Sequence, residues 1–303
     1  MISTYFEALR PGQWIKNLSL FASAILNGQF FNVYIFSKSL LAFVIFCLLS
    51  SASYLINDIV DIEKDRLHPV KKNRPIARGD LSKTQAFSMA FLLILVGLSI
   101  SIFINIGFVL IAIAFVILQF FYSFFLKKKA IVDIMGISLS FIVRAYAGEV
   151  ATGFHLPVWI LLTVIFLSLF IASGKRRSEL INSGKKTRSS LAGYGKSLLN
   201  FYTTMFGVGT LISYALYTFF TETTSIGEGR FHSFFQNHYP AALDKKWYMV
   251  TLLPVIFGIM RYGQIIFEMQ EGERPERVVA SDIPLIISIL SWGLMMIIVV
   301  YVF

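Results

Sequence analysis

Charged residues are scarce in this sequence, and cysteine is nearly absent. Only 15% of the 303 residues are charged, whereas 56% are hydrophobic. Soluble domains are typically about 45–50% apolar, so this composition excludes an ordinary soluble domain and indicates a membrane protein. The single cysteine, Cys47, excludes an intramolecular disulfide and a metal site built from thiolates. No small-residue cleavage site follows the basic N-terminal stretch, so we expect no cleavable signal peptide.

Apolar runs of about 20 residues predict membrane-spanning helices. Their continuous apolar character argues against a transmembrane barrel, whose strands would alternate apolar and polar residues. The predicted fold is therefore all-α, a polytopic bundle of nine transmembrane helices in one domain that covers 1–303. The predicted spans are 18–36, 39–56, 85–105, 107–126, 131–150, 157–174, 199–220, 248–267 and 283–303. Polar residues interrupt the first span at Asn27, Gln29 and Asn32.

Lysine and arginine are concentrated on one side of these spans. The opposite side carries only Lys38, Arg230, Lys245 and Lys246. By the positive-inside rule, the N-terminus is cytoplasmic and the C-terminus is outside. The net charge of +10 then lies mainly on the cytoplasmic face, where anionic lipid accounts for part of it without a nucleic-acid partner. We expect a multi-pass protein of the cell membrane whose active site faces the cytoplasm.

The dense polar segments all fall on that predicted cytoplasmic side. The outer loops are short and almost uncharged, except for 221–247, which we expect to form a small lid or amphipathic cap. A transporter more often has charges on both sides and broken helices near the midplane. The one-sided polarity therefore favours an enzyme or a one-sided binding protein.

A cluster of oxygen-bearing side chains lies at the end of the second predicted span. At helical spacing they share one face: Asn57, Asp58, Asp61 and Asp65. Carboxylates stacked in this way repel one another unless cations neutralise them. Oxygen ligands without His or Cys favour Mg²⁺ together with substrate phosphates. The alternative interpretation is a solvated helix end whose acids pair with Lys64 and Arg66.

Basic residues follow the carboxylates directly. The residue before a proline avoids the α region, so His68-Pro69 is expected to end the helix. We predict an extended loop stiffened by Pro75 that carries Lys71, Lys72, Arg74 and Arg78. Arginine presents a planar fork to phosphate, whereas lysine acts as a point charge. Alone, such a run would favour a positive-inside anchor, but its place behind the acids favours a metal-diphosphate site.

Ionisable residues also occur within and after the later spans. Asp133 and Arg144 lie three helical turns apart, which places Arg144 about 16 Å deeper on the same face. A charge at that depth is a functional candidate, with an ion pair to Glu149 as its structural alternative. Other polar residues end the fourth, sixth and eighth spans, where anchoring at the interface is the alternative role. These are Tyr122, Lys127, Lys175, Arg176, Glu179 and Arg261, with Glu273 and Asp282 in the last cytoplasmic loop.

The segment from Asn57 to Asp65, followed by HPVKKNRPIA, resembles the UbiA superfamily of intramembrane prenyltransferases. The resemblance continues through Tyr122 and Lys127 and covers nearly the whole chain. Further segments are similar to the branch whose members transfer a phosphoribosyl group to decaprenyl phosphate. These segments are 10–17, 133–148, 174–179, Arg261-Tyr262 and Ser281-Asp282.

One departure from the wider superfamily supports this narrower resemblance. Members that use a prenyl diphosphate donor generally carry a second Asp-rich motif after the sixth span. Here the segment after that span contains no aspartate and is strongly basic. Such a segment suits phosphoribosyl pyrophosphate, which brings an additional phosphate, and a polyprenyl phosphate acceptor brings another.

The resemblance implies transfer of a 5-phosphoribosyl group from phosphoribosyl pyrophosphate to a polyprenyl phosphate, with release of pyrophosphate. It assigns catalysis to Asp58, Asp61 and Asp133. It assigns Mg²⁺ to Asn57, Asp58, Asp61 and Asp65. The substrate-binding residues that it implies are Lys16, Asn17, Asn57, Lys71, Arg74, Tyr122, Lys127, Arg144, Lys175, Arg176, Glu179 and Arg261.

Two other functions stay open at this point. One is prenylation of an aromatic or quinone precursor by a prenyl diphosphate, and the other is carriage or transport of polyprenyl phosphate. The 30 phenylalanines do not separate lipid-facing from protein-facing surfaces, so a homo-oligomer is also compatible with the sequence.

Overall fold

The computed structural model describes residues 2–68, 70–184, 189–221, 237–239 and 246–301. All regular secondary structure within these ranges is helical. In chain order the α-helices are α1 (Ile2–Leu9), α2 (Ala22–Leu26), α3 (Val33–Val60), α4 (Ile62–Leu67), α5 (Pro75–Arg78), α6 (Lys83–Ser101), α7 (Ile106–Phe124), α8 (Val132–Thr152), α9 (Val158–Ser183), α10 (Lys196–Phe220), α11 (Leu252–Gln264), α12 (Pro275–Ser281) and α13 (Ile283–Tyr301). The prediction of an all-α fold is confirmed for the part of the chain that the structure describes.

Seven helical segments of the described chain are long and apolar enough to cross a membrane. They are Val33–Val60, Lys83–Ser101, Ile106–Lys128, Val132–Thr152, Val158–Asn182, Trp247–Met269 and Ile283–Tyr301. The protein is therefore a multi-pass membrane protein, as predicted. The span predicted at 199–220 corresponds to α10, which has 25 residues but does not belong to these seven. The count of nine spans and the cytoplasmic N-terminus stay predictions, and most of the predicted cap at 221–247 lies outside the described residues.

The prediction of one continuous span over 18–36 is wrong. A 3₁₀-helix at Pro11–Phe21 leads into α2, and the chain then turns at Gly28, whose φ is 66°. The Asn32 side chain accepts hydrogen bonds from the backbone N–H groups of Tyr34 and Ile35, so a new helix begins here. Helix α3 therefore contains both the end of the first predicted span and all of the second.

Asn105 lies between α6 and α7, at the boundary of the predicted spans 85–105 and 107–126. Its Oδ1 accepts a hydrogen bond of 2.8 Å from Phe108 N and caps α7. Its Nδ2 donates to Val150 O at 2.8 Å, which ties this turn to the end of α8. The same side chain therefore starts one helix and fixes its position against another.

The core around α3 depends on interlocking aromatic rings and on close helix contacts. Phe46 of α3 packs against Phe108 and Phe115 of α7, with ring centroids 5.8 and 4.9 Å apart. On the other side of this core, Gly148 of α8 lies against the backbone of Leu20, where a Cβ atom would be 2.4 Å from Leu20 O. This contact brings the 3₁₀-helix close enough to α8 to place its polar residues inside the bundle.

We expect Gly148→Ala to destabilise the fold because the added methyl group would overlap backbone atoms that cannot rotate away. The expected loss is about 1–3 kcal/mol of unfolding free energy, measured as a lower Tm in detergent. Gly293→Ala in α13 is the matched control, since no atom lies within 4 Å of its added Cβ. Equal Tm values for the two variants would contradict the close contact at Leu20.

Candidate functional site

A polar cavity of about 480 Å³ lies where the ends of α3, α7 and α9 meet at one end of the bundle. We call it the outer cavity. It brings together residues that are far apart in the sequence, including most of the predicted site. The predicted residues that line it are Lys16, Asn57, Asp58, Asp61, Asp65, Lys71, Arg74, Tyr122, Lys127, Lys175, Arg176 and Glu179.

The acidic cluster forms because α3 and α4 follow one another with only a slight break. Asp61 sits at that break, where its N–H donates to Asn57 O at 3.0 Å and its carbonyl accepts from Asp65 N at 2.8 Å. Asp58 and Asp65 are buried. The helical spacing read from the sequence therefore holds across the junction and keeps these side chains at the cavity.

Cations from distant segments neutralise the acidic cluster. Arg10 Nη2 lies 2.5 Å from both carboxylate oxygens of Asp58. Arg74 Nη1 donates to Asp58 Oδ1 at 3.0 Å and to Asp65 Oδ2 at 2.5 Å. Lys127 Nζ lies between Asn57 Oδ1 at 2.8 Å and Asp61 Oδ2 at 2.6 Å. Each of these three cations therefore occupies oxygens that a metal ion would otherwise contact.

The alternative interpretation, in which the acids pair with Lys64 and Arg66, is wrong. Lys64 is exposed, and Arg66 instead donates to Ala77 O at 3.1 Å and lies 3.4 Å from Glu63. Neighbours in the sequence point outward here because only one face of α4 meets the cavity. The pairing partners of the aspartates come from other elements.

The prediction of an extended basic loop is also wrong. A 3₁₀-helix at Lys71–Asn73 is followed by α5, with only Arg74 extended between them. Pro75 occupies the first turn of α5, where its fixed φ suits a helix start. This compact arrangement places Arg74 at the cavity, while Arg78 does not line it and pairs with Glu7 and Asp80.

His68 holds the start of this basic segment. Its Nδ1 accepts hydrogen bonds from Val70 N at 3.2 Å and Lys71 N at 3.3 Å, so a neutral ring is required. Its Nε2 lies 3.9 Å from Glu273. Burial lowers the pKa of His68, and the nearby Lys71 lowers it further. His68 therefore ends α4 as predicted and fixes the backbone that carries Lys71.

A pH dependence of stability follows from His68. An unfolded histidine titrates near about pH 6.5, and the folded pKa is lower. The stability contribution is thus complete above that pH and is lost as the pH falls through the lowered folded value. We expect Tm to fall less in His68→Asn than in the wild type between about pH 7.5 and pH 5.5, because asparagine keeps an acceptor but does not titrate. Equal falls would show that His68 does not carry the effect.

Asp133 does not line the outer cavity. It is fully buried and accepts hydrogen bonds from Tyr194 Oη at 2.6 Å and Ser190 Oγ at 2.9 Å. Its Oδ2 also lies 3.1 Å from Arg176 Nε, and Arg176 forms a second ion pair with Glu179. Burial and Asp133 together raise the pKa of Tyr194, which keeps this phenol protonated as a donor. The structure therefore places Asp133 behind Arg176, where it positions that guanidinium.

Removal of the Asp133 charge tests this placement. We expect Asp133→Asn to cost about 1.5–3 kcal/mol of unfolding free energy, the range for hydrogen bonds to charged groups. Ser190→Ala is the control, because it deletes one hydrogen bond and leaves the carboxylate charge in place. A Tm loss no greater than that of Ser190→Ala would contradict the ion pair with Arg176.

A second, smaller cavity of about 270 Å³ adjoins the outer cavity, and we call it the inner chamber. The two share Lys16, Tyr122 and Lys175 among their lining residues. Arg144 lines only the inner chamber. The predicted alternative, a pair between Arg144 and Glu149, is wrong, because Glu149 instead caps the turn at His155 and Leu156.

Two other predicted binding residues lie outside both cavities. Asn17 is fully buried, and its Oδ1 accepts from Arg144 Nε at 2.8 Å, so it supports Arg144. Arg261 pairs with Asp282 at 2.7 Å and joins α11 to the start of α13. Hydrogen bonding by Arg261 lowers the pKa of Asp282, so that carboxylate is ionised at neutral pH.

Sequence reasoning missed several residues that line the outer cavity. They are Glu7, Arg10, Gln13, Tyr54, Gln119, Arg274 and Glu276. Arg10 and Gln13 belong to the segment that carried part of the family resemblance, which was the available signal. Burial alone would raise the pKa of Glu276, but Lys16 and Lys175 outweigh it, so the net pKa is below its usual value. Glu276 is therefore an ionised acid at the entrance to the inner chamber.

An apolar cavity of about 380 Å³ lies deeper between α9, α10, α11 and α13. Ile171 and Val279 line both this cavity and the inner chamber. The outer cavity, the inner chamber and this apolar cavity therefore follow one another from the end of the bundle into its interior.

The fold and the site define a polytopic membrane protein whose polar cavity opens into an apolar interior between helices. The chain belongs to the UbiA prenyltransferase family, which matches residues 18–223. It is 37% identical to the decaprenyl-phosphate phosphoribosyltransferase of Mycolicibacterium smegmatis, over 96% of this chain and 91% of that protein. It is 35% identical to the enzyme of the same name from Corynebacterium glutamicum, over 98% of this chain and 86% of that protein. A UbiA homolog from Archaeoglobus fulgidus bound to GPP and Mg²⁺ has the same fold, with a TM-score of 0.73, 19% identity and coverage of 97% and 99%.

Proposed function

We propose that this protein transfers the 5-phosphoribosyl group of phosphoribosyl pyrophosphate to a decaprenyl-like polyprenyl phosphate and releases pyrophosphate. The observation that carries the proposal is its similarity, over nearly the whole chain, to two enzymes named decaprenyl-phosphate phosphoribosyltransferase. The concentration of basic residues around the cavity supports a cytoplasmic active site by the positive-inside rule.

The charges of the outer cavity support a substrate with several phosphates. Its aspartates form one cluster, whereas its cations come from the N-terminal segment, the turn before α5, the turn after α7, α9 and the residue before α12. Lys175 and Arg176 approach from the end of α9, where the sequence has no second group of aspartates. One acidic patch facing several cations suits three phosphate-bearing groups better than a prenyl diphosphate and a neutral ring.

The acidic cluster fits Mg²⁺ in its chemistry. No group of three or more His, Cys, Asp and Glu among the described residues is arranged for a metal as it stands, and cations contact the oxygens of the acidic cluster. Yet the Lys127 ammonium lies between Asn57 Oδ1 and Asp61 Oδ2 as a bound cation would. Asn57, Asp58, Asp61 and Asp65 would hold the ion, in keeping with the oxygen ligands that Mg²⁺ prefers. When bound, Mg²⁺ supplies charge neutralisation at the leaving pyrophosphate.

The basic residues then act on the substrate phosphates. Arg10, Arg74 and Lys127, which pair with the acidic cluster in this structure, would donate to the diphosphate oxygens of a donor bound with Mg²⁺. Their fixed positions around the cavity hold the leaving group and stabilise its developing charge. No general base is needed, because the lipid phosphate is already ionised at neutral pH.

The bond changes follow from direct displacement at the ribose. An oxygen of the lipid phosphate attacks C1, and the bond from C1 to the pyrophosphate oxygen breaks with its electron pair leaving on pyrophosphate. Such an attack inverts the anomeric carbon, from the α donor to a β product. The apolar cavity beyond the inner chamber supports placement of the polyprenyl tail between helices, out of water.

Incubation of the purified protein with Mg²⁺, ribose-labelled phosphoribosyl pyrophosphate and decaprenyl phosphate tests the proposal. We expect label in the lipid extract and an equal amount of released pyrophosphate. Absence of labelled lipid with a folded preparation would contradict it.

Prenyl transfer is the second candidate, favoured by the fold neighbour described with bound GPP. A parallel incubation with a prenyl diphosphate and an aromatic acceptor tests it, and we expect no product.

Carriage of polyprenyl phosphate is tested in liposomes. Flux of polyprenyl phosphate across the membrane that Asp61→Ala leaves unchanged would favour a carrier.

A further inference from the structure

The cations of the two polar spaces differ in their partners. In the outer cavity, Arg10, Arg74 and Lys127 are each paired with a carboxylate of the acidic cluster. In the inner chamber, neither Arg144 nor Lys175 forms an ion pair with a described residue, and the one carboxylate that lines the chamber, Glu276, lies 3.7 Å from Lys16 and acts on Lys175 from a longer distance. Three cations, Lys16, Arg144 and Lys175, and only that one carboxylate line the inner chamber, so it keeps a surplus of positive charge.

Arg144 is held in place by neutral groups. Its Nε donates to Asn17 Oδ1 at 2.8 Å, and its Nη1 donates to Ser140 O at 2.7 Å. Its guanidinium also lies over the Phe115 ring, 4.7 Å from the centroid. These contacts fix the orientation of the guanidinium without neutralising its charge, and only 3% of the residue is exposed.

Lys175 complements Arg144 from the facing helix. It makes no hydrogen bond or ion pair with any described residue, although it lines both the outer cavity and the inner chamber. Charges within a membrane protein are expensive and usually serve a ligand or a pathway. Two such cations that converge on one chamber call for an anion between them.

We propose that the inner chamber is a second phosphate subsite, separate from the acidic cluster, which binds a phosphate monoester through Arg144 and Lys175. This inference rests on the proposed function, whose substrates bring two monoesters. One is the lipid phosphate of the acceptor, and the other is the 5-phosphate of the donor. The chamber adjoins the outer cavity at Lys16 and the apolar cavity at Ile171, so it is accessible to either group.

Binding measurements on the purified protein test this subsite. The probes are farnesyl phosphate, with farnesol as its uncharged counterpart, ribose 5-phosphate, and pyrophosphate with Mg²⁺. We expect Arg144→Met and Lys175→Met each to weaken the binding of one of the two monoesters by about 10- to 100-fold, as for loss of a charge-assisted hydrogen bond. Pyrophosphate with Mg²⁺ is expected to change less than about threefold, because its charges are met by the outer cavity.

The control variant is Arg78→Met, which removes a cation on the same side of the protein that lines neither cavity and pairs with Glu7 and Asp80. Because Arg144 holds several hydrogen bonds, Arg144→Met can fail to fold. Lys175→Met then decides the question, since Lys175 has no hydrogen bond to lose among the described residues.

Each outcome has a definite meaning. Weaker binding of farnesyl phosphate by the variants assigns the subsite to the lipid phosphate. Weaker binding of ribose 5-phosphate assigns it to the 5-phosphate of the donor. Either result supports the proposal. Unchanged binding of both monoesters, no monoester binding by the wild type, or an equal loss for pyrophosphate would overturn it. If the wild type binds a monoester at Lys175 but forms no lipid-linked ribose phosphate, the proposed function fails and the subsite stands.

Discussion

Replacement of Asp61 by asparagine is expected to lower turnover by about 10²- to 10³-fold, the size of effect seen when one stabilising contact to a reacting group is lost. Asparagine keeps the size of the side chain and removes only its charge. Asp61 lines the outer cavity with 20% of its side chain exposed, and it holds the Lys127 ammonium at 2.6 Å. The substitution therefore weakens the Mg²⁺ site and releases Lys127 without opening a void in the core.

The matched control for this prediction is Asp80→Asn. Asp80 also lies on the basic side of the protein and pairs with Arg78 at 2.6 Å, but it does not line the outer cavity. Turnover should be unchanged in this control, and Tm should be similar in both variants. A folded Asp61→Asn protein with turnover within about twofold of the wild type would show that the acidic cluster is not used for charge stabilisation.

Removal of divalent metal is expected to abolish turnover and to weaken pyrophosphate binding. Lys127 bridges Asn57 and Asp61 in this structure, and Arg74 bridges Asp58 and Asp65. The carboxylates and pyrophosphate compete for these side-chain cations. Pyrophosphate therefore binds them better when another cation neutralises the carboxylates. Mg²⁺ and pyrophosphate should therefore each favour binding of the other, by about 5- to 150-fold if the coupling has the usual size.

Calorimetric titration measures this coupling directly. Pyrophosphate is titrated with and without Mg²⁺, and Mg²⁺ is titrated with and without pyrophosphate, with correction for the complex that the two form in solution. Thermodynamic linkage requires the same factor in both directions. Asp61→Asn should reduce that factor, and equal pyrophosphate affinity in chelator and in Mg²⁺ would contradict the exchange of partners.

Local spacing in the sequence predicted the acidic cluster well. Asn57 and Asp61 are one helical turn apart, and the turn between α3 and α4 preserves that register. The cations that neutralise the cluster were not predictable in the same way. Arg10 reaches Asp58 across 48 positions of sequence, through a left-handed backbone conformation at Arg10 and a 3₁₀-helix that packs along α3. Such a contact depends on tertiary packing, which no local pattern encodes.

Asp133 and Arg144 show where helical periodicity is insufficient. Their spacing predicts one face of α8, but in the structure the two side chains contact different elements. Tyr194 and Ser190 cover α8 near Asp133, whereas the inner chamber opens onto it near Arg144. The prediction of the first span was wrong for a different reason. Its polar residues form a turn and a helix cap, which hydropathy alone treats as interruptions of one helix.

We expect this cavity to use a phosphoribosyl donor instead of a prenyl donor. The most direct test offers both donors in one reaction, with ribose-labelled phosphoribosyl pyrophosphate and a differently labelled prenyl diphosphate at equal concentration. Decaprenyl phosphate and an aromatic acceptor are both present, with Mg²⁺. We predict that the ribose label alone enters the lipid product, with one pyrophosphate released for each transfer. Prenyl label on the aromatic acceptor, without ribose label in lipid, would contradict the use of a phosphoribosyl donor.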